Sequence, residues 1–182
     1  ERTVTGPVLG ASVALRSLSF AYPGQPQVLE ALTTEWPSGS RVAIVGPSGA
    51  GKSTLLLHLN GLLPTRLPTQ STQATVWIDG TPLIAGGERS VRQQVGFVFQ
   101  DPDDQLFGAT VAEDLAFGPR QLGCDRVEQQ RRITAALAAV GLTGVEQRNP
   151  AQLSFGERKR VCLAGVLACE PRVLVLDEPS SN

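Results

Sequence analysis

Apolar side chains recur along the chain at two periods, every second residue or every third to fourth, and the changes between them divide it into elements. Val13–Ala21 alternates and reads as a strand, ended by the Pro23-Gly24 turn. A second strand is expected at residues 28–34, with residues 37–40 as the next turn. Residues 41–45 (R-V-A-I-V) form a short unbroken apolar run of the kind found in buried parallel strands. That run leads directly into a glycine-rich segment and then a helix over residues 52–60, closed by Gly61 and Pro64. Residues 64–73 are polar and irregular, and strands follow at residues 75–78 and 95–99, the first closed by the Asp79-Gly80 turn.

In the second half the helical period dominates. Thr110 and Glu113 have the spacing of a capping box and open a helix expected to reach Phe117. Residues 126–140 carry Ile133, Leu137 and Val140 on one stripe, with arginine and glutamine opposite. Ser154 and Glu157 repeat the capping-box spacing and open a helix to about Cys169. A last apolar strand at residues 172–176 ends in Asp177-Glu178-Pro179. Strands followed by helices imply a parallel, helix-covered sheet with its ligand at the strand carboxyl ends.

The chain has 182 residues, 41% apolar and 18% charged, which suits one globular domain. A net charge of −1 excludes nucleic-acid binding driven by bulk electrostatics. No apolar run nears the ~20 residues that span a bilayer, and the first ten residues lack the layout of a signal peptide. A cytosolic protein is expected, with residues 1–12 as a tail or linker. Cys124, Cys162 and Cys169 have no metal-like spacing, and the last two, in an apolar helical stretch, are expected to be buried free thiols.

Candidate chemistry sharpens this picture. Only two of the 16 basic residues are lysines, and one, Lys52, lies within G-P-S-G-A-G-K-S-T, residues 46–54. Gly46, Gly51, Lys52 and Ser53 match the phosphate-loop pattern without a gap, between an expected strand and an expected helix. Glycines let successive N–H groups turn inward onto phosphate oxygens, and the helix adds the positive end of its dipole. Lys52 would reach the β and γ phosphates, and the Ser53 hydroxyl would ligate Mg²⁺. The bland alternative is a glycine-rich turn before a helix. At the other end, V-L-V-L-D-E carries two carboxylates to a strand terminus, where Asp177 would hold Mg²⁺ and Glu178 would orient or deprotonate an attacking water. A solvated acidic turn is the alternative there.

Leu153-Ser154-Phe155-Gly156-Glu157 stands just before that strand, and an N-cap serine with free helix N–H groups is also an anion site. The order of phosphate loop, L-S-F-G-E and V-L-V-L-D-E-P resembles the ATP-binding cassette (ABC) family from about Val13 onward. The resemblance implies an α/β P-loop NTPase of ABC type: a parallel-sheet core, an N-terminal antiparallel β part, and a helical signature subdomain at about residues 101–165. It implies ATP and Mg²⁺ as ligands. The loop residues Gly46, Ser48, Gly49, Gly51, Lys52, Ser53 and Thr54 would bind ATP, Tyr22 would stack on adenine, and Gln100 would sense Mg²⁺ and water. Ser154 and Gly156 would contact the ATP of a second ABC subunit, identical or different, in a head-to-tail dimer. Phe155 and Glu157 depart from the commoner glycine and glutamine. Ser180-Ser181-Asn182 resembles the start of the loop that crosses such a dimer. The family's switch histidine lies beyond the acidic strand and the chain ends first, while His58 reads as a packing or surface residue. The expectation is a C-terminally truncated domain that binds ATP and hydrolyses it weakly.

Residues 99–118 (F-Q-D-P-D-D-Q-L-F-G-A-T-V-A-E-D-L-A-F-G) are similar to the ATPases of energy-coupling-factor importers for cobalt, nickel and vitamins. That resemblance implies a transmembrane coupling protein docked on residues 100–118, and a chain peripheral to the inner face of the cell membrane. Asp103, Asp104 and Glu113 are candidate acceptors for the partner's arginines. The alternatives are a cytosolic ABC protein acting on ribosomes or DNA, and a soluble phosphoryl-transfer kinase. The first is countered, for DNA repair, by the absence of sustained heptads between Ser53 and Ser154. The second leaves the signature unexplained.

Overall fold

The computed structural model describes residues 10–64 and 68–179, so part of the N-terminal tail, part of the irregular stretch and Ser180-Ser181-Asn182 lie outside the described residues. The chain divides into two compact units, Glu1–Arg92 and Gln93–Asn182.

The first unit is built on an antiparallel sheet. Strands β1 (Val13–Ala21) and β2 (Gln27–Trp36) pair with Val13 opposite Trp36, and β3 (Val76–Ile78) joins the other edge of β1 with Val13 opposite Ile78. A two-residue β4 (Thr81–Pro82) completes the order β2-β1-β3-β4. Alternation buries Val13 and Leu15, then breaks: the register shifts between Leu15 and Leu18, and Ser17 takes a left-handed φ of 49°. The Ser17 N–H donates to Thr33 Oγ1 at 2.9 Å, so the bulge leaves this donor satisfied while returning Leu18 to the buried face. Asp79 and Gly80, at φ 50° and 74°, form the tight turn that this dipeptide favours between β3 and β4.

Helix α1 (Lys52–Leu59) buries Thr54, Leu55, His58 and Leu59 on one face and ends where Gly61 turns left-handed at φ 73°. Helix α2 (Glu88–Gln94) was not legible from the pattern: its seven residues bury Val91 alone, too few for a period to show. Arg92 donates from Nη2 to the Gly61 carbonyl at 3.0 Å, tying α2 to the end of α1.

One predicted strand is absent. Residues 41–45 join no ladder, and Val42 and Val45 are exposed, Val45 by 87%. An unbroken apolar run encodes burial between neighbouring strands, and neither sheet among the described residues offers this run a partner.

The second unit pairs β5 (Val95–Val98) with β6 (Val173–Leu176) in parallel, Val95 opposite Val173 through Val98 opposite Leu176. Three helices accompany them: α3 (Val111–Gln121), α4 (Arg126–Ala139) and α5 (Phe155–Leu167). Val111, Leu115, Ile133, Leu137, Val161 and Ala164 form their common core, so the stripe read on α4 is the buried one. Gly96 is required where β5 meets α5, because a Cβ there would collide with Val166 and Pro171. Helix α3 continues past Phe117 through Gly118 and Pro119. Proline removes one helical hydrogen bond, but Pro119 is buried and the Leu122 N–H still reaches the Gly118 carbonyl. Cys162 is buried as expected, and desolvation pushes its thiol up to about 12; Cys169 and Cys124 are only partly covered.

Leu137 is fully enclosed in the three-helix core, whereas Val127 on the same helix is 80% exposed. Leu137→Ala is expected to lower unfolding free energy by about 2–5 kcal/mol, and Val127→Ala to change it by less than about 0.5 kcal/mol. Urea titrations of both variants check this contrast.

Candidate functional site

Gly51 carries the start of the phosphate loop helix. It is the N-cap of α1 with φ 85°, and a Cβ there would sit 2.9 Å from Val28 Cγ1 and 3.1 Å from the Val28 carbonyl oxygen. Only glycine fits both the conformation and the space, and the loop therefore lies against β2. Gly49 is also left-handed, at φ 80°, but faces open space. Ser48 and Gly49 form the turn, and Gly46, Ser48 and Ser53 are exposed. Gly51, as the N-cap, supplies no side-chain cap to α1. Lys52 folds back across the loop and donates from Nζ to the carbonyls of Gly46 (3.0 Å) and Pro47 (2.9 Å).

Tyr22 stands at the end of β1 with its hydroxyl 3.1 Å from Thr54 Oγ1, joining the predicted aromatic to the predicted loop helix. The Phe20 ring meets it edge-on at 4.9 Å and meets the His58 ring at 4.7 Å. His58 is a packing residue, 1% exposed, with Nδ1 2.7 Å from the Thr54 carbonyl. Desolvation lowers its pKa below the usual 6.5, and because a carbonyl oxygen only accepts, Nδ1 is the nitrogen that donates. Phe20 was not singled out in the sequence; alternation with Tyr22 in F-A-Y was the available signal.

In the second unit the parallel register does the positioning. With Val98 opposite Leu176, Gln100 and Glu178 each lie two residues beyond the paired strand ends. The Asp177 N–H extends the ladder to the Val98 carbonyl at 3.0 Å. Gln100 then donates from Nε2 to Glu178 Oε2 at 2.9 Å, uniting two residues that stand 78 positions apart. Glu178 takes a left-handed φ of 44°, a conformation costly for a residue with a Cβ. Lys159 Nζ lies 3.5 Å from the Glu178 carbonyl oxygen, a long contact whose signal was the scarcity of lysine. The strand is less buried than predicted: Val175 is enclosed, but Leu174 is 41% exposed. With β5 as its one ladder partner among the described residues, β6 keeps a bare edge.

Ser154 caps α5 in a complete capping box: its Oγ accepts from the Glu157 N–H at 3.3 Å, and Glu157 Oε2 accepts from the Ser154 N–H at 2.8 Å. Those bonds hold the Glu157 carboxyl below the usual range. A Cβ at Gly156 would meet only Arg160 Nη1, at 3.8 Å, so the backbone there is open to approach. The Phe155 ring lies under Lys159 at 5.0 Å and Arg158 at 5.8 Å.

The α3 cap is half of the expected box. Thr110 Oγ1 accepts from the Glu113 N–H, but the Glu113 carboxylate accepts from Ala109 instead of Thr110. Asp103 Oδ1 is 3.2 Å from Arg158 Nε, near enough for an ion pair though not aligned as a hydrogen bond. Two of the three acids read as partner acceptors thus already have intramolecular contacts.

The sequence profile of the ABC transporter family matches residues 29–181, and the chain belongs to that family. It is 46% identical over 172 residues to the energy-coupling factor transporter ATP-binding protein EcfA of Methanothermobacter thermautotrophicus, covering 93% of this chain and 53% of that protein. The EcfA of Methanocaldococcus jannaschii is 45% identical over 172 residues, covering 93% of this chain and 60% of that one. The chain therefore spans little more than half the length of these relatives. Among solved structures, CbiO1 of Clostridium perfringens, part of the ABC transporter complex cbiONQ, superposes with a TM-score of 0.79 at 34% identity, covering 93% of this chain and 66% of that one. A bacterial Atm1-family ABC exporter with ATP bound gives a TM-score of 0.74 at 31% identity, covering 94% and 29%.

The two left-handed loop glycines separate conformation from space. Gly49→Ala is expected to cost about 1–2 kcal/mol, from φ alone. Gly51→Ala should cost about 2–5 kcal/mol, because its methyl also meets Val28. Urea unfolding midpoints of the two variants measure the difference.

Proposed function

We propose that this chain is the ATP-binding and ATP-hydrolysing subunit of an energy-coupling-factor type membrane importer, of the cobalt, nickel or vitamin class. The observation that carries the catalytic part is the 2.9 Å bond from Gln100 Nε2 to Glu178 Oε2. It holds a carboxylate oxygen where a water can be oriented, and the exposure of Glu178 leaves that position open to solvent. Gly46, Ser48, Gly49, Gly51 and Thr54 shape the loop around the phosphates, and Lys52 exchanges its two carbonyl partners for phosphate oxygens. Tyr22 stacks on adenine. Glu178 accepts a proton from the attacking water, and Gln100 keeps the carboxylate aimed.

The resemblance to the ABC family implies that the Ser53 hydroxyl, the Asp177 carboxylate and the Gln100 amide oxygen would hold Mg²⁺, and all three are hard ligands of the kind it takes. When bound, Mg²⁺ neutralises charge developing on the phosphates. Ser154 and Gly156 face the ATP of a second ABC subunit, identical or different, so that nucleotide closes a dimer. The chain acts at the inner membrane face through a transmembrane coupling protein seated on residues 100–118; none of its described helices is long and apolar enough to cross a membrane. The similarity to EcfA proteins and to CbiO1 supports this branch of the family.

Two experiments test the proposal. Lys52→Ala should weaken ATP binding about 10- to 100-fold, while Glu178→Gln should retain binding and slow phosphate release by about 100-fold or more. Equal hydrolysis by Glu178→Gln and the parent protein would remove Glu178 from the chemistry. For the partner, Asp104→Lys avoids the Asp103–Arg158 pair; it should abolish co-purification with the coupling protein and leave ATP affinity unchanged. An intact complex would rule out that docking surface.

A further inference from the structure

His58 is an expensive choice for a core position. Its ring is 1% exposed, and Nε2 is buried without a hydrogen-bond partner, a penalty that leucine would avoid. What the imidazole supplies is a circuit of four residues that closes through the Thr54 backbone carbonyl. His58 Nδ1 donates to the Thr54 carbonyl at 2.7 Å, and Thr54 Oγ1 meets the Tyr22 hydroxyl at 3.1 Å. The Tyr22 ring meets Phe20 edge-on at 4.9 Å, and Phe20 meets the His58 ring edge-on at 4.7 Å. Edge-to-face pairs fix the relative tilt of two rings as well as their separation. Tyr22 is thereby held at both ends, by its hydroxyl on α1 and by its ring on Phe20. Phe20 in turn is held by His58, one turn further along α1 from Thr54.

We propose that His58 is a positioning residue for the nucleotide base: through Phe20 it fixes the tilt of the Tyr22 ring, whose hydroxyl Thr54 holds, and so sets affinity for adenine without touching the nucleotide. This rests on the reading of Tyr22 as the residue that stacks on adenine. The burial-lowered pKa keeps the imidazole neutral, so the circuit is maintained without a charge beside the phosphate loop.

Inorganic tripolyphosphate carries the phosphates without the base and separates the two contributions. Isothermal titration of the whole protein with ATP and with tripolyphosphate is the measurement. Tyr22→Ala should weaken ATP roughly 5- to 150-fold, the range for loss of one base–aromatic stack, and leave tripolyphosphate unchanged. His58→Leu should weaken ATP several-fold with tripolyphosphate again unchanged, and His58→Phe, which restores a ring edge to Phe20, should recover most of the loss. Tyr22 is the chain's only tyrosine, so its ring-labelled NMR signals should move in His58→Leu and return in His58→Phe. Should His58→Leu fail to fold, Phe20→Leu breaks the same circuit from the strand side and should give the same selective loss. An unchanged ATP-to-tripolyphosphate preference in the His58 or Phe20 variant, beside a selective loss in Tyr22→Ala, overturns the inference and leaves the stacking role standing. An unchanged preference in Tyr22→Ala removes the stacking role and the inference with it. Equal weakening of both ligands by His58→Leu, or no recovery in His58→Phe, assigns His58 to the loop's stability instead.

Discussion

The absence of a side chain at Gly51 is the constraint on which the first unit depends. At φ 85°, and with no room for a Cβ against Val28, this position lets the chain reverse against β2 and begin a helix in the same step. Without that reversal α1 could not present an uncapped end beneath the loop, and Lys52 could not reach the Gly46 and Pro47 carbonyls. Thr54 and His58, one and two turns along, then fall on the face that meets Tyr22 and Phe20. A backbone requirement at one residue thus propagates into the placement of side chains on two different elements.

The second unit solves its positioning problem by register. Two parallel strands that end level deliver whatever follows them to the same edge. Gln100 and Glu178 need no dedicated scaffold beyond that, and one hydrogen bond finishes the pairing. The helices contribute indirectly: Gly96 lets β5 approach α5 closely, and the core around Leu137 and Val161 holds α5 against α3 and α4.

Features written locally were legible in the sequence. The Asp79-Gly80 turn, the Ser154–Glu157 box and the start of α1 after the glycine-rich loop each depend on residues within a few positions of one another, and each formed as read. Residues 41–45 were misread because a buried strand is a statement about neighbours, and an apolar run cannot say whether those neighbours are present. The bulge at Ser17 and the continuation of α3 through Pro119 escaped for a related reason. In both, a distant partner or burial offsets a local penalty that the sequence displays. The Gln100–Glu178 bond was beyond reach as geometry, though both residues were singled out for their chemistry. His58 was left between packing and surface, which its burial decides, and its link to Tyr22 passes through Phe20, an ordinary strand residue with nothing to mark it.

Phe155, at the first position of α5, shows how one departure from a commoner residue alters the character of a helix start. Glycine there would leave the turn loose and surrender that freedom whenever something docked against it. The phenylalanine ring instead lies under the cations of Lys159 and Arg158, so these side chains and the first turn are ordered when the protein folds. The helix end is thus rigid in advance. A phenylalanine start therefore leaves this turn less conformational entropy to lose in any later contact than a glycine start would.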